Sequence, residues 1–149
     1  MRGRPGDPLL PGGALTAPLE RLRSLCLGMP GATERLSHGE PAWFAGDKKL
    51  FVTFSDHHHD DRVAFWCACE AAERDALVAE DPERYFVPPY VGHRGWLGAW
   101  VDVPVDWDEL AAIVTEAFRL VAPRRLRAEL EARGSHRPAW VRGGAWRTG

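Results

Sequence analysis

Two short segments of this sequence carry side chains whose type and spacing could support chemistry. The first, residues 57–61, reads His-His-His-Asp-Asp, and His57 and His59 could point the same way from an extended chain. With a carboxylate or His93 they could then ligate a metal. A polar run between two alternating segments is equally typical of a solvated hairpin turn. No HExxH or paired CxxC spacing accompanies it, so we expect a turn and no metal site.

The second segment, residues 92–96, reads Gly-His-Arg-Gly-Trp. Glycines at a turn let the backbone approach a partner closely, and they would direct His93 and Arg94 outward. Trp96 follows at the start of the next predicted strand. The same pattern also fits a plain glycine-rich hairpin in which Arg94 pairs with a neighbouring acid, because turn glycines need no functional reason. Both interpretations stay open at the level of sequence.

Motifs typical of catalysis and cofactor binding do not occur in the sequence. It contains no GxxxxGKS/T phosphate loop, no GxSxG turn and no GxGxxG segment after a strand. Cys67 and Cys69 alternate with apolar strand residues and Cys26 belongs to a helical apolar stripe, so all three are predicted to be small core residues. We therefore expect no enzyme and no cofactor.

The elements that must position these side chains follow from the hydrophobic pattern. Asp106 and Glu109 form a capping-box-like start to a long apolar helix that Pro123 ends. Runs of strands separated by helices predict an α+β, two-layer fold, with an antiparallel sheet and helices on one face. The order is α-β(3)-α-β(2)-α plus a short C-terminal helix. The predicted segments are a helix at 17–28, strands at 41–45, 49–55 and 62–69, a helix at 70–80, strands at 85–91 and 96–103, and helices on either side of Pro123.

Length and composition suit one soluble domain. The chain has 149 residues, of which 45% are hydrophobic and 27% charged, and no apolar run of about 18 residues could span a membrane. We divide it into a disordered leader (1–15), a folded domain (16–133) and a basic flexible tail (134–149). Three cysteines, an odd number, and an N-terminal segment without an apolar core favour a cytoplasmic location.

Charge is divided unevenly along the chain. Residues 1–123 hold 12 Lys and Arg against 19 Asp and Glu, a net −7, whereas residues 124–149 hold seven Arg against two Glu, a net +5. A body of net −7 repels a phosphate backbone at long range. Any nucleic-acid contact therefore needs a local basic patch or the basic tail.

Strand alternation assigns side chains to the two faces of the sheet. Leu50, Val52 and Phe54, with equivalent residues of the later strands, would face the helices. The opposite face would carry large aromatic side chains that a two-layer fold leaves uncovered. Such a patch favours a protein or peptide partner, or a second copy of the chain in a homodimer. This predicted partner face consists of Phe51, Trp66, Trp96 and Trp100.

Four stretches of the sequence resemble one known family. They read LCLGMPGATE (25–34), HGEPAWF (38–44), DPERYFVPPYVGHRGW (81–96) and VDWDEL (105–110). Together they resemble the MmcQ/YjbR-like family of small bacterial proteins, over most of the predicted domain. The resemblance implies a fold similar to secretion chaperones, with the order α-β(3)-α-β(2)-α. It also implies DNA binding through a "double-wing" arrangement of β-hairpins.

Two functions follow as hypotheses. The first, which the resemblance favours, is DNA binding through cations near the hairpin tips, which would contact phosphates without reading sequence. Acids at the same turns, such as Asp47, oppose it, and the arginines of residues 124–149 offer an alternative contact zone. The second is a non-catalytic, protein-binding or self-associating module that uses the partner face. The residues predicted to bind nucleic acid are Lys48, Lys49, Arg62, His93, Arg94 and Trp96.

The relative placement of cations and aromatics discriminates between these hypotheses. If Arg94 and Trp96 border one groove, a base could stack on Trp96 while Arg94 holds a phosphate, as in proteins that bind single strands. A continuous aromatic patch with an acidic rim would favour a protein partner, because carboxylates repel phosphate and suit the polar rim of an interface.

Overall fold

Six strands form one antiparallel sheet in the part of the chain that the structure, a computed structural model, describes: residues 11–56, 62–89 and 91–133. The strands are β1 (Ala32–Ser37), β2 (Glu40–Ala45), β3 (Lys49–Asp56), β4 (Val63–Cys67), β5 (Tyr85–Phe86) and β6 (Leu97–Trp100). The helices are α1 (Pro11–Leu27), α2 (Ala71–Glu80), α3 (Trp107–Val121) and α4 (Arg124–Arg133), and one 3₁₀ turn spans Gly92–Arg94. Across the sheet the strands follow the order β1-β2-β3-β4-β6-β5.

One face of the sheet, here called the inner face, packs against the helices. Phe118 of α3 meets Phe51 of β3 edge-on, with ring centres 5.3 Å apart. Leu126 and Leu130 of α4 join the same buried core. These contacts confirm the predicted α+β fold with an antiparallel sheet. The opposite face is called the outer face below.

Glu34 of β1 fixes α1 to the sheet. Its carboxylate accepts hydrogen bonds from Nε and Nη2 of Arg23 in α1, both at 2.9 Å. It also accepts the indole N–H of the fully buried Trp43, again at 2.9 Å. The hydrogen bonds from Arg23 lower the pKa of Glu34 below its usual value, because they favour the charged carboxylate.

Strand β1 was not among the predicted elements, so four strands and not three precede α2. Its sequence, Ala-Thr-Glu-Arg-Leu-Ser, shows no apolar alternation, because an edge strand needs little burial on either face. A two-residue turn joins it to β2, and both turn residues have positive φ, 55° at His38 and 84° at Gly39. This is the geometry that matches the twist of a tight hairpin.

A β-bulge in β3 reverses part of the predicted face assignment. Val52 pairs with Trp43 and Leu50 pairs with Phe44, which leaves Phe51 as an extra residue between them. Phe51 therefore turns inward to Phe118, and Leu50 turns to the outer face. The predictions that Phe51 lies on the partner face and that Leu50 faces the helices are wrong for this reason.

The later strands are shorter than the alternation predicted. Strand β4 ends at Cys67, β6 spans Leu97–Trp100, and β5 ends at Phe86 because Pro88 and Pro89 lack the N–H that a ladder requires. The chain thus leaves the sheet after Phe86. Pro89, Val91, Arg94 and Trp96 line cavities on the outer face instead, as described below.

The start of α3 is as predicted. The Asp106 side chain accepts the backbone N–H groups of Asp108 and Glu109, at 3.0 and 3.3 Å, and the helix ends at Val121, before Pro123. Helix α1, however, begins at Pro11, so residues 11–15 are helical and not part of a leader. Residues 1–10, 57–61, 90 and 134–149, including the predicted tail, lie outside the described residues. Among the described residues, the longest apolar helix falls short of what a membrane span requires.

Candidate functional site

A concave pocket of about 460 Å³ lies on the outer face of the sheet, and we call it the outer-face pocket. It follows β3, because Leu50 near one end of this strand and Ser55 near the other both line it. Trp66 of β4 separates it from a smaller cavity of about 190 Å³, which is lined by Phe86 and Trp100. The remaining lining comes from the β1–β2 hairpin and the segment after β5: Ser37, His38, Glu40, Val91, Arg94 and Trp96.

Arg94 and Trp96 border this one pocket, which is the arrangement that would favour nucleic acid. The guanidinium carbon of Arg94 lies 5.4 Å from the centre of the Trp96 ring, within range of a cation–π contact. Trp96 is only 3% exposed, whereas Arg94 is exposed and Trp66 is half-buried. The accessible aromatic surface of the pocket is therefore that of Trp66 more than that of Trp96.

Helix α2 and the residues just after β4 contact the turn that carries His93 and Arg94. Arg74 of α2 donates from Nη1 to the carbonyl of Gly92, at 2.7 Å. Gly95 has φ of +89°, and a Cβ at this position would lie 2.8 Å from the carbonyl oxygen of Cys69. Only glycine accommodates both the left-handed backbone and this close approach. The fold itself therefore requires glycine at position 95. The same turn also exposes the side chains of His93 and Arg94.

Lys48 and Lys49 lie at the same end of the sheet as this turn. They sit where β3 begins, and both are exposed. Gly95 packs against Cys69, just beyond β4, and the neighbouring Ala68 bonds to Phe51 near the start of β3. The fold therefore brings together four of the side chains that the sequence singled out for nucleic acid: Lys48, Lys49, His93 and Arg94.

Arg35 belongs to the same end and was missed by the sequence reasoning. It is exposed on β1, stacks over Phe44 with its guanidinium carbon 3.7 Å from the ring centre, and donates to the carbonyl of Asp47 at 2.8 Å. Pairing of Arg35 with Ala42 places it on the outer face. No signal could have shown this, because β1 itself was not predicted.

Arg62 lies at the other end of the sheet. It precedes Val63, which pairs with Asp56 at the end of β3, so the length of the strand, about 23 Å, separates it from Lys49. Both carboxylate oxygens of Asp102 bind its guanidinium at 2.9 Å, and it lies over the Trp100 ring. These hydrogen bonds lower the pKa of Asp102. Arg62 is thus held in a structural ion pair.

The predicted partner face is largely covered. Phe51 points inward and Trp96 is buried, while Trp66 and Trp100 are half-buried. Trp100 stacks on Phe86, with ring centres 4.4 Å apart. Pro89, Val91 and Arg94 line the cavities beside these aromatics and thus shield surface that a bare sheet would have exposed. Large exposed hydrophobic side chains of the described residues are scattered: Leu27, Leu36, Val87 and Leu120.

The cysteines have the environment of core residues. Cys26 and Cys67 are fully buried and Cys69 is half-buried. Burial raises the pKa of all three thiols, that of Cys69 to about 12, so reactive thiolates are disfavoured. No group of three metal-ligating side chains occurs within the described ranges, and the candidate ligands His57 and His59 lie outside them.

Comparison with known proteins gives one family and one fold. A family model described as YjbR matches residues 27–120. The chain is similar to the crystal structure of Deinococcus radiodurans protein DR2400, a DUF419 domain, at 16% identity and a TM-score of 0.63, over 76% of this chain and 87% of that one. No curated protein matches the sequence.

Proposed function

The chain belongs to the YjbR family, and we propose that it binds DNA through phosphate contacts at one end of its sheet. This cationic end consists of Arg35, Lys48, Lys49, His93 and Arg94. The observation that supports the proposal is their convergence from three separate turns or strands onto one end of the sheet. The DNA-binding role implied by resemblance to this family agrees with it.

The cationic end is suited to phosphates because most of its charge remains available. Lys48, Lys49 and Arg94 are exposed and make no ion pair with a described residue. Arg35 donates one N–H to a backbone carbonyl and keeps further donors for a ligand. Such contacts position a nucleic acid and add salt-dependent affinity, without reading its sequence.

Negative charge limits how far the DNA contact extends. Asp47 lies in the same turn as Lys48, and residues 1–123 carry a net −7. Phosphates are therefore attracted only close to the cationic end, while the rest of the body repels them. We propose a binding role without catalysis, in which the bound strand is recovered intact.

Charge removal tests the proposal. In fluorescence anisotropy with labelled DNA, Lys48→Ala and Arg94→Ala should each weaken binding about threefold to fivefold, the size of an exposed ion pair. The matched control is Arg125→Ala, which removes one exposed arginine from α4. We expect the control to bind like the wild type. Equal losses in all three variants would place the contacts elsewhere and contradict the proposal.

A further inference from the structure

The outer-face pocket has the form of a ligand site and not of a simple surface groove. Its volume of about 460 Å³ lies within the range of small-molecule sites, and its walls are mostly apolar. Trp66 supplies a flat aromatic surface, Leu50 adds an apolar wall, and Val91 closes one side. A planar, largely apolar group would fit such walls and would be shielded from water there.

A buried hydroxyl points to a ligand with hydrogen-bonding groups. Ser55 is a buried polar side chain, only 9% exposed, and it lines both the outer-face pocket and the smaller cavity beside it. No described residue makes a hydrogen bond with its hydroxyl. Buried polar groups are nearly always partnered, so an unpartnered hydroxyl at a pocket wall indicates a site for a ligand atom.

Side chains of opposite charge at the two ends of the pocket determine how a bound ligand is oriented. Arg94 lies at the end nearest Leu50, where it can hold an anion in its guanidinium fork. Glu40 lies at the other end, where one carboxylate oxygen accepts the backbone N–H of Asp56 at 3.3 Å. A carboxylate repels phosphate but accepts hydrogen bonds from amino groups, such as those on nucleobases.

We infer that the outer-face pocket binds one unpaired nucleotide of a single strand, an inference that rests on the proposed DNA binding. The base lies against Trp66 within reach of Ser55, and its phosphate lies at Arg94. The neighbouring phosphates then run toward Lys48 and Lys49 at the cationic end. Bases within a duplex are stacked and paired, so they cannot enter the pocket, and single strands are preferred.

The test compares a labelled single strand with the duplex of the same sequence by fluorescence anisotropy. The wild type should bind the single strand about tenfold more tightly, the contribution of stacking one base on an aromatic ring. Trp66→Leu should remove this preference and leave duplex binding unchanged. Trp107→Leu, which replaces a half-buried tryptophan of α3 in a different cavity, is the matched control and should retain the preference.

A second variant distinguishes the loss of a ligand contact from a folding defect caused by Trp66→Leu. Ser55→Ala removes one hydroxyl and little volume, and it should weaken single-strand binding severalfold with an unchanged circular dichroism spectrum. Equal affinity of the wild type for both DNA forms, unaffected by Trp66→Leu, would overturn this inference alone. Binding of neither form would overturn the proposed function with it. Binding of free nucleoside 5′-monophosphates but of no strand would overturn both.

Discussion

Arg62 and Arg94 both lie beside a tryptophan, but their surroundings give them different roles. Asp102 holds Arg62 with two hydrogen bonds over Trp100, so its charge is neutralised within the protein. Arg94 lies over Trp96 without an ion pair to a described residue, so its charge remains available for the phosphate contact that we propose. The sequence nominated both as DNA contacts because their partners, distant along the chain, cannot be read from spacing.

At the same scale, the ion pair of Glu34 predicts a stability effect. Glu34→Gln should lower the free energy of unfolding at pH 7 by about 1–2 kcal/mol, because the charged hydrogen bonds from Arg23 are weakened. Glu20→Gln, which alters an exposed partner of the same arginine, should cost less than about 0.5 kcal/mol. Urea unfolding of the three proteins measures both values.

The effect of Glu34 depends on pH. Its pKa is lower in the folded than in the unfolded protein, so the stabilisation is full above the unfolded value of about 4.3 and is lost as the pH falls through the folded value. The difference between the wild type and Glu34→Gln should therefore shrink in acid. A difference that grows below pH 4 would contradict this assignment of the ion pair.

At the scale of elements, the bulge in β3 exchanges the roles of two neighbouring residues. Phe51→Ala should lower the free energy of unfolding by about 3–5 kcal/mol, because it leaves a cavity beside Phe118 in the core. Leu50→Ala, at the half-buried wall of the outer-face pocket, should cost less than about 2 kcal/mol. Chemical denaturation distinguishes them, and a larger loss at Leu50 would contradict the bulge.

These elements show what the sequence could and could not predict. Asp106 and Pro123 mark the two ends of α3 through local chemistry, so the sequence near each end was enough to predict where the helix begins and ends. The face of Phe51 depends on a pairing with β2 that alternation within one strand does not contain. The outer-face pocket depends on Val91, Arg94 and Trp96 lying beside the sheet after the chain has left β5, which is a tertiary contact. Thus the fold class was predictable, whereas the pocket and its Ser55 were not.

At the scale of the whole molecule, the proposed function depends on the uneven distribution of charge. Residues 1–123 carry a net −7, and yet four cations at one end of the sheet, Arg35, Lys48, Lys49 and Arg94, are available to phosphates. With this distribution of charge, we expect DNA to repel the protein in most orientations and to attract it when the cationic end approaches. Its affinity should therefore be more sensitive to salt than its overall charge suggests.

The salt dependence of DNA binding measures this central claim most directly. If the four cations each neutralise one phosphate, a plot of log affinity against log salt concentration for duplex DNA should have a slope of about −3.6. The double variant Lys48→Ala/Lys49→Ala should reduce it to about −1.8, because two phosphate contacts are removed. A slope near zero, or one that the double variant leaves unchanged, would contradict DNA binding at the cationic end.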